Sequence, residues 1–269
     1  MENGRRRLKV SWLQLLFSLL GALLVLFIVL PLGRLIFSSQ AGILLETMAD
    51  GVVMSSIGLT IVAAIIATGI GVILGVPLAY LLARHRFPGK PLLEGVVNLP
   101  VVIPHSAAGI ALLFVFGRSF WVGQKFEDIG IEFVDSLAGI VIAMLFVSVP
   151  FLLNAARDGF SRVDERLIGV ARTLGASPAQ AFAKVALPLA RRHILSGGLM
   201  MWARSMSEFG AVIILAYHPM IAPILVYERF QTQGLAATVP IAAILVIISL
   251  FIFIAVRLLL SRGTTDAGS

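Results

Sequence analysis

The sequence contains no cysteine, which excludes a disulfide framework, a thiolate metal site and a cysteine nucleophile. Charged residues are also scarce, at 13% of the chain, where soluble domains have roughly 25%. Neither a G-x-x-x-x-G-K-[ST] phosphate loop nor an H-E-x-x-H motif occurs. The 4 histidines are dispersed along the chain. We therefore predict no catalytic residue and no metal site, and any nucleotide hydrolysis would need a separate polypeptide.

Apolar residues dominate what is present. They make up 59% of the chain, and the mean hydropathy is +1.00, far above the range of soluble domains. Because about 20 apolar residues in a helix cross a bilayer, we predict an all-α, polytopic membrane protein, with residues 1–269 forming a single membrane domain. The candidate spans are 11–37, 51–83, 93–117, 138–157, 187–217 and 239–260. The first is interpreted as a retained span, since its apolar run is too long for a signal peptide and no small-residue cleavage site follows it.

The basic residues indicate the orientation of these spans. Most of the 21 lysines and arginines fall in segments 5–9, 84–90, 157–192 and 257–262. Cytoplasmic loops retain positive charge, so we expect both termini in the cytoplasm of a prokaryotic cell. The net charge of +7 is thus spread over four segments, which argues against nucleic-acid binding. The cluster at residues 5–9 is either an orientation anchor or a contact with anionic membrane lipid.

One cytoplasmic segment, about residues 158–187, is too long for a simple turn. Asp164 can cap a helix, Gly175 can end it, and Ser177-Pro178 can begin another. This punctuation predicts two short helices. The first carries an apolar stripe with helical spacing, formed by Leu167, Val170, Ala171 and Leu174. The stripe either packs on the ends of the chain's own spans or binds a partner.

The spacing in this segment resembles the cytoplasmic loop of ABC importer permeases, which reads Glu-Ala-Ala, three residues, Gly, nine residues, an aliphatic residue, any residue and Leu-Pro. Here Gly169-Val170-Ala171 stands at the correct distances before Gly175 and Val185-Ala186-Leu187-Pro188. Gly169 replaces the usual glutamate, so any salt bridge made by that glutamate is missing. The resemblance implies docking to an ATPase subunit through Leu167, Gly169, Val170, Ala171, Arg172, Thr173, Leu174 and Gly175.

A second segment, WARSMSEFGAVIILAY (202–217), places two charges in an apolar run. Arg204 and Glu208 are four residues apart and project from the same helical face. An arginine at the centre of a span costs about 2.5 to 3.5 kcal/mol on insertion scales. We therefore expect both side chains to face the protein interior and to pair. Two roles remain open, a structural ion pair or a contribution of Arg204 to the field along an anion path.

The third candidate span contains Pro100 and Pro104, which remove backbone donors. This predicts a break or kink between residues 99 and 105. The amides of residues 106–108 would then lie at a new helix start, where Pro104, His105 and Ser106 can contribute to an oxyanion path. A kink that only improves packing is the alternative.

Three stretches together resemble molybdate/tungstate permeases of the binding-protein-dependent oxyanion importers. They are NLPVVIPHSAAGIALL (98–113), RSMSEFGA (204–211) and YHPMIAPILVYERF (217–230). The Phe-Gly-Ala ending is typical of the molybdate and tungstate members, whereas sulfate relatives tend towards Tyr-Gly-Ser. Ser207 departs from the usual glycine.

The resemblance implies a type I ABC importer permease fold with about six spans, in a homodimer. It also implies two copies of an ATPase that binds ATP and magnesium, an external binding protein, and no cofactor in this chain. Sulfate is the alternative substrate. Outside this class, an ATP-independent channel or an ion-coupled transporter would also explain the charge pair but would not require the cytoplasmic loop. A membrane enzyme would need a catalytic constellation, and none is visible in the sequence.

Overall fold

A computed structural model describes residues 11–262, with side chains to residue 258, and this part of the chain is helical without any strand. The all-α expectation is confirmed. The helices are α1 (Trp12–Phe37), α2 (Ala41–Ala49), α3 (Gly51–Arg84), α4 (Lys90–Val102), α5 (His105–Phe116), α6 (Trp121–Glu127), α7 (Leu137–Ser161), α8 (Glu165–Thr173), α9 (Pro178–Ala181), α10 (Leu187–Met206), α11 (Val212–Leu215), α12 (Ala222–Gln233) and α13 (Leu235–Arg262). A π-helical turn, Phe182–Ala186, joins α9 to α10.

Polar residues at the start of the long helices fix where they begin. The Asp50 carboxylate accepts a hydrogen bond from the Val52 amide at the start of α3, and the Ser136 hydroxyl accepts one from the Gly139 amide at the start of α7. Both bonds satisfy amides that have no partner within the helix. The apolar runs that follow carry no acidic residue in their first turn.

The centre of the structure is formed by α3, α7 and α10, which pack closely because small residues lie between them. A Cβ atom added at Gly159 of α7 would lie 2.5 Å from the Cβ of His193 on α10. One added at Gly197 of α10 would lie 3.2 Å from the Leu152 backbone. Residue numbers fall along α7 as they rise along α10, so these helices are antiparallel. This is the close helix packing that small residues permit in membranes.

Polar side chains connect α4 to the C-terminal half of α7. The Asn154 amide donates to Asn98 Oδ1 over 2.6 Å, and Arg157 Nη1 lies 3.3 Å from Glu94 Oε1. Because residues 94 and 98 are one turn apart, as are 154 and 157, both contacts use one face of each helix. α4 is therefore held to α7 by polar bonds.

The break predicted at residues 99–105 is confirmed. α4 ends at Val102, Pro104 precedes α5, and the two helices are bent by 115°. Proline at position 104 cannot donate a backbone hydrogen bond and disfavours helical geometry at Ile103, which has an extended ψ of 148°.

The expected count of six spans is not confirmed. Within residues 11–258, 4 helices are long and apolar enough to cross a membrane, or 5 if α4 and α5 form one broken span. The candidate 187–217 is not one helix, because α10 ends at Met206 and α11 begins at Val212. α10 also carries Arg191, Arg192 and Arg204, which lowers its apolar character.

The prediction of a second, separate short helix after α8 is wrong. The Ser177 hydroxyl does cap α9, accepting from the Gln180 amide at 3.2 Å. However, α9 runs through the π-helical turn into α10 without interruption. Ser177-Pro178 therefore starts a helix that continues to Met206.

α1 lies at the edge of the structure. None of its 26 residues is buried, and its sequence is almost wholly apolar, as expected of a helix that faces lipid. The basic cluster at residues 5–9, which contributes to the predicted orientation, lies outside the described residues.

Two neighbouring glycines of α10 provide a test of the central packing. We expect Gly197→Ala to lower stability by about 1 to 3 kcal/mol, the usual cost of overpacking, because its Cβ would also lie 2.7 Å from the Ala155 Cβ. Gly198→Ala is the matched control, since its Cβ would have only Thr68 Cγ2 within reach, at 4.0 Å. Thermal unfolding midpoints of the purified protein in detergent measure the difference. Equal midpoints for the two variants would contradict the proposed packing.

Candidate functional site

α8 is a short, separately capped helix between two long ones. The Asp164 carboxylate accepts a hydrogen bond from the Arg166 amide over 2.9 Å, which begins the helix. Gly175 has a φ of +91°, a left-handed conformation that ends the helix. The Ala176 amide then donates to the Ala171 carbonyl over 3.0 Å. The start and end predicted from Asp164 and Gly175 are both present.

The predicted apolar stripe of α8 points mainly to solvent. Leu167, Val170 and Leu174 are 48%, 56% and 83% exposed. Ala171 is half-buried, and the other predicted docking positions are exposed, namely Gly169, Arg172, Thr173 and Gly175. The stripe therefore does not pack on the chain's own spans.

A different residue attaches α8 to the rest of the chain. Ile168, which the sequence analysis did not single out, packs against the apolar cluster formed by the C-terminal halves of α3 and α7 together with α10. Ile168 lies about 100° around the helix from Leu167, on the side of α8 that faces the spans, and it is partly buried whereas Leu167 is exposed. This second apolar position of α8 is the signal that was missed. α8 thus presents one apolar face to the protein and another to solvent.

Arg204 and Glu208 form an ion pair at the end of α10. Arg204 Nη2 lies 2.8 Å from Glu208 Oε2, and the glutamate side chain is 0% exposed. His105, the first residue of α5, completes the cluster. Its Nδ1 lies 3.2 Å from Glu208 Oε2, and both ring nitrogens lie 2.9 Å from Arg204 Nη2. The cluster therefore joins the start of α5 to the end of α10.

The second carboxylate oxygen of Glu208 holds the connection between α10 and α11. Glu208 Oε1 accepts a hydrogen bond from the Ala211 amide over 2.8 Å. Gly210 then lies against α5, since a Cβ atom there would be 2.8 Å from the His105 Cβ. A buried carboxylate needs such partners, because an unpaired buried charge is strongly unfavourable. The non-helical residues 207–211 are thereby fixed in place.

The two segments singled out separately in the sequence thus meet at one place. Arg204 is largely balanced by Glu208, which supports the ion-pair interpretation more than a free cation facing an anion path. Pro104 and Ser106 are exposed beside this pair, while the His105 side chain is 39% exposed. The first-turn amides of α5 lie next to it, where the positive end of the helix dipole favours negative charge.

A large groove also lies beside Ser207, between α10, α12 and α13. Its volume is about 820 Å³. The lining is almost wholly apolar and includes Trp202, Phe209, Tyr227 and Phe230. Such a surface offers few donors to an oxyanion, so the groove is not a candidate anion site.

Sequence reasoning missed several buried polar contacts. Ser148 and Ser205 approach within 2.8 Å, and the Asn98–Asn154 bond crosses from α4 to α7. Their signal was available, since a polar residue inside an apolar span generally faces the protein and finds a partner. The partner itself, 56 or 57 positions away, is not given by the pattern.

The fold and these sites describe a multi-pass membrane protein with a short helix, α8, whose apolar stripe is exposed, and a broken span beside a buried ion pair. Residues 71–264 match the family model of the binding-protein-dependent transport system inner membrane component. This match covers more than half of the chain. The chain belongs to this family.

Relatives at the level of the whole chain point to oxyanions. The molybdate/tungstate transport system permease protein WtpB of Thermococcus kodakarensis is 46% identical over 250 residues, covering 92% of this chain and 96% of that protein. WtpB of Pyrococcus furiosus is also 46% identical, over 256 residues and 94% and 97% of the two chains. The sulfate transport system permease protein CysT of Synechocystis is more distant, at 31% over 89% and 86%.

Solved structures share the fold at low sequence identity. A bacterial ABC transporter involved in import of the acidic polysaccharide alginate matches with a TM-score of 0.72 at 16% identity, covering 93% of this chain and 96% of that one. The methionine ABC transporter MetNI in an inward-facing form matches with a TM-score of 0.62 at 18% identity, over 79% and 96%. The chain therefore has the type I ABC importer permease fold.

The buried pair predicts non-additive effects of substitution. Arg204→Ala should lower stability by about 3 kcal/mol, as expected when one partner of a buried pair is removed, because the Glu208 carboxylate then keeps only the His105 ring and the Ala211 amide. The double variant Arg204→Ala, Glu208→Gln should be more stable than the single one, since a neutral amide still accepts from Ala211. Thermal midpoints in detergent test this, and a double variant no better than the single one would contradict the coupling.

Proposed function

We propose that this chain is the membrane-spanning permease subunit of an ABC importer that carries molybdate or tungstate into the cell. The observation that carries the proposal is α8, a rigidly capped helix with an exposed apolar stripe between the long helices α7 and α10. A stripe of leucine and valine in water is unfavourable unless a partner covers it. The names of the WtpB relatives support the substrate.

The partner of α8 is an ATPase subunit, which binds ATP and magnesium in place of this chain. The permease works as a homodimer with two ATPase subunits, so that two α8 helices insert into two ATPase grooves. The chain itself is not a catalyst. Two observations support a separate ATPase subunit. The sequence of this chain has no phosphate loop, and the chain matches a family of membrane components of transport systems.

The importer lies in the cell (inner) membrane of a prokaryote with both termini in the cytoplasm. The distribution of lysine and arginine supports this orientation, in which α8 and the basic residues around it lie on the inner side. An external binding protein delivers the oxyanion to the opposite face. The binding protein carries out the tight selection of substrate. The membrane subunit has to bind the anion only weakly, because the anion must be able to leave its path.

Transport proceeds by alternating access. ATP-driven approach of the ATPase subunits moves the two α8 helices together and opens the outer side, and hydrolysis returns the dimer to the inward-open state. The start of α5, with Pro104, His105 and Ser106, borders the path. Arg204 and Glu208 hold this start in position as an ion pair, so that α5 and the end of α10 move together.

Sulfate is the second substrate to consider, because it has the same charge and shape as molybdate and differs mainly in size. The lower identity to the sulfate permease favours molybdate or tungstate. An ATP-independent channel or ion-coupled transporter is disfavoured by α8, since neither needs an exposed apolar helix between spans.

Gly175, at the end of α8, provides a test of the docking to the ATPase. Gly175→Pro should abolish copurification of the ATPase, because proline cannot adopt a φ of +91° and lacks the amide that donates to the Arg172 carbonyl over 3.1 Å. Gly130→Pro, between α6 and α7, is the control, since Gly130 also has a positive φ, +83°, and its amide donates to the Glu127 carbonyl over 2.9 Å. Deletion of residues 168–176 should also remove binding. Normal copurification with Gly175→Pro or the deletion would disprove the docking role.

Uptake of labelled molybdate tests the whole assignment. Vesicles containing this chain, its ATPase and its binding protein should accumulate molybdate only with ATP, and tungstate should compete. Competition by sulfate at similar concentration would move the assignment to a general oxyanion or sulfate importer. Accumulation without ATP would overturn the importer assignment altogether.

A further inference from the structure

Arg84, the last residue of α3, is largely buried where three helices meet. Its side chain is 9% exposed. Nη2 donates a hydrogen bond to the backbone carbonyl of Val163, in the turn between α7 and α8. Nη1 lies 3.4 Å from Oε1 of Glu165, the first residue of α8. One guanidinium therefore contacts the end of α3, the turn after α7 and the start of α8.

The electrostatics of this position suit a cation. α3 and α7 both end here, and the negative ends of their helix dipoles favour a positive side chain, while the positive end of the shorter helix α8 opposes it. The planar guanidinium can address two acceptors at a fixed angle, which a lysine ammonium cannot do in the same way. Nε has no hydrogen-bond partner among the described residues, so the Nη groups provide the contact with α8.

The two acceptors of Arg84 differ in environment. The side chain of Glu165 is 80% exposed, and an ion pair of that kind contributes little because water and salt screen it. Val163 is 7% exposed, and its carbonyl lies one residue before the capping residue Asp164. The bond to Val163 is therefore the stronger mechanical link, and it acts directly at the base of α8.

α8 has few other connections to the spans. None of its residues is buried, and its neighbours include α9 and the π-helical turn that lead into α10. A displacement of α8 reaches α7 and α10 through the continuous chain, and it reaches the apolar cluster of α3, α7 and α10 through the partly buried Ile168. Arg84 provides a separate connection, from the base of α8 to α3, which does not follow α8 in sequence.

We propose that Arg84 is a positioning residue that couples the movement of α8 to α3, so that α3 and α10 shift together when the ATPase moves α8. This inference rests on the proposed function of α8. Without Arg84, α8 still presents its stripe to the ATPase, but the base of α8 loses its direct polar link to α3, and its movement reaches α3 only indirectly, through Ile168 and the packing of α3 on α7 and α10. The consequence is ATP hydrolysis that is poorly linked to transport.

The experiment measures molybdate transported per ATP hydrolysed in vesicles containing the permease, the ATPase and the binding protein. Arg84→Ala should retain the ATPase on purification and hydrolyse ATP, while transport per ATP falls by at least about fivefold, the lower end of typical coupling factors between linked sites. Arg84→Lys should be intermediate, because its ammonium keeps the charge. Glu165→Gln should stay within about twofold of the wild type, as expected for an exposed ion pair.

Arg86→Ala is the matched control, since Arg86 is an exposed cation two positions further along, and it should behave as the wild type. An unchanged ratio in Arg84→Ala overturns the proposal. So does a proportional fall of hydrolysis and transport, or a failure of both Arg84 variants to assemble, because each indicates a purely structural role. The wild-type sample distinguishes failure of the Arg84 proposal from failure of the proposed function, because absence of ATP-dependent uptake in the wild type refutes the proposed function itself.

Discussion

Polar groups inside the apolar spans must find partners within the protein, and most of this structure depends on that constraint. A bilayer supplies no water to an exposed amide or carboxylate, so each such group costs several kcal/mol if it is left alone. The Asn98–Asn154 bond, the Ser148–Ser205 contact and the His105–Glu208 contact each satisfy it by joining two segments that are distant in sequence. The apolar surface makes the helices insert, whereas these few bonds specify which faces meet.

The same constraint explains where irregular backbone is tolerated. The chain leaves helical geometry at residues 103–104 and again at residues 207–211, and both places lie side by side around His105 and Gly210. Glu208 supplies an acceptor to the Ala211 amide there. Proline and glycine, which would weaken an isolated helix, are tolerated here because the two non-helical segments pack against each other within the protein.

Local features of the sequence predicted local structure well. The apolar runs predicted most of the spans, Pro104 predicted the break between α4 and α5, and Asp164 and Gly175 predicted the limits of α8. Each of these features depends only on residues that are close in sequence. The end of α10 at Met206 was missed because an apolar run, residues 202–217, continues through it. Contacts such as His105 with Arg204 join residues 99 positions apart, and a single sequence does not contain their pairing. Ile168 was overlooked for a related reason, as its role depends on which side of α8 meets the spans.

The continuity of α9, the π-helical turn and α10 has a geometric consequence. Residues 178–206 form an unbroken helical rod, whose length at 1.5 Å per residue is about 40 Å. One end lies next to α8 and the other ends beside Arg204. A tilt of only about 5° about the end next to α8 displaces the far end by about 3 Å, roughly the length of a hydrogen bond. The rod can therefore act as a lever, since a small angular change at its α8 end is enough to exchange one set of hydrogen-bond partners for another around Arg204.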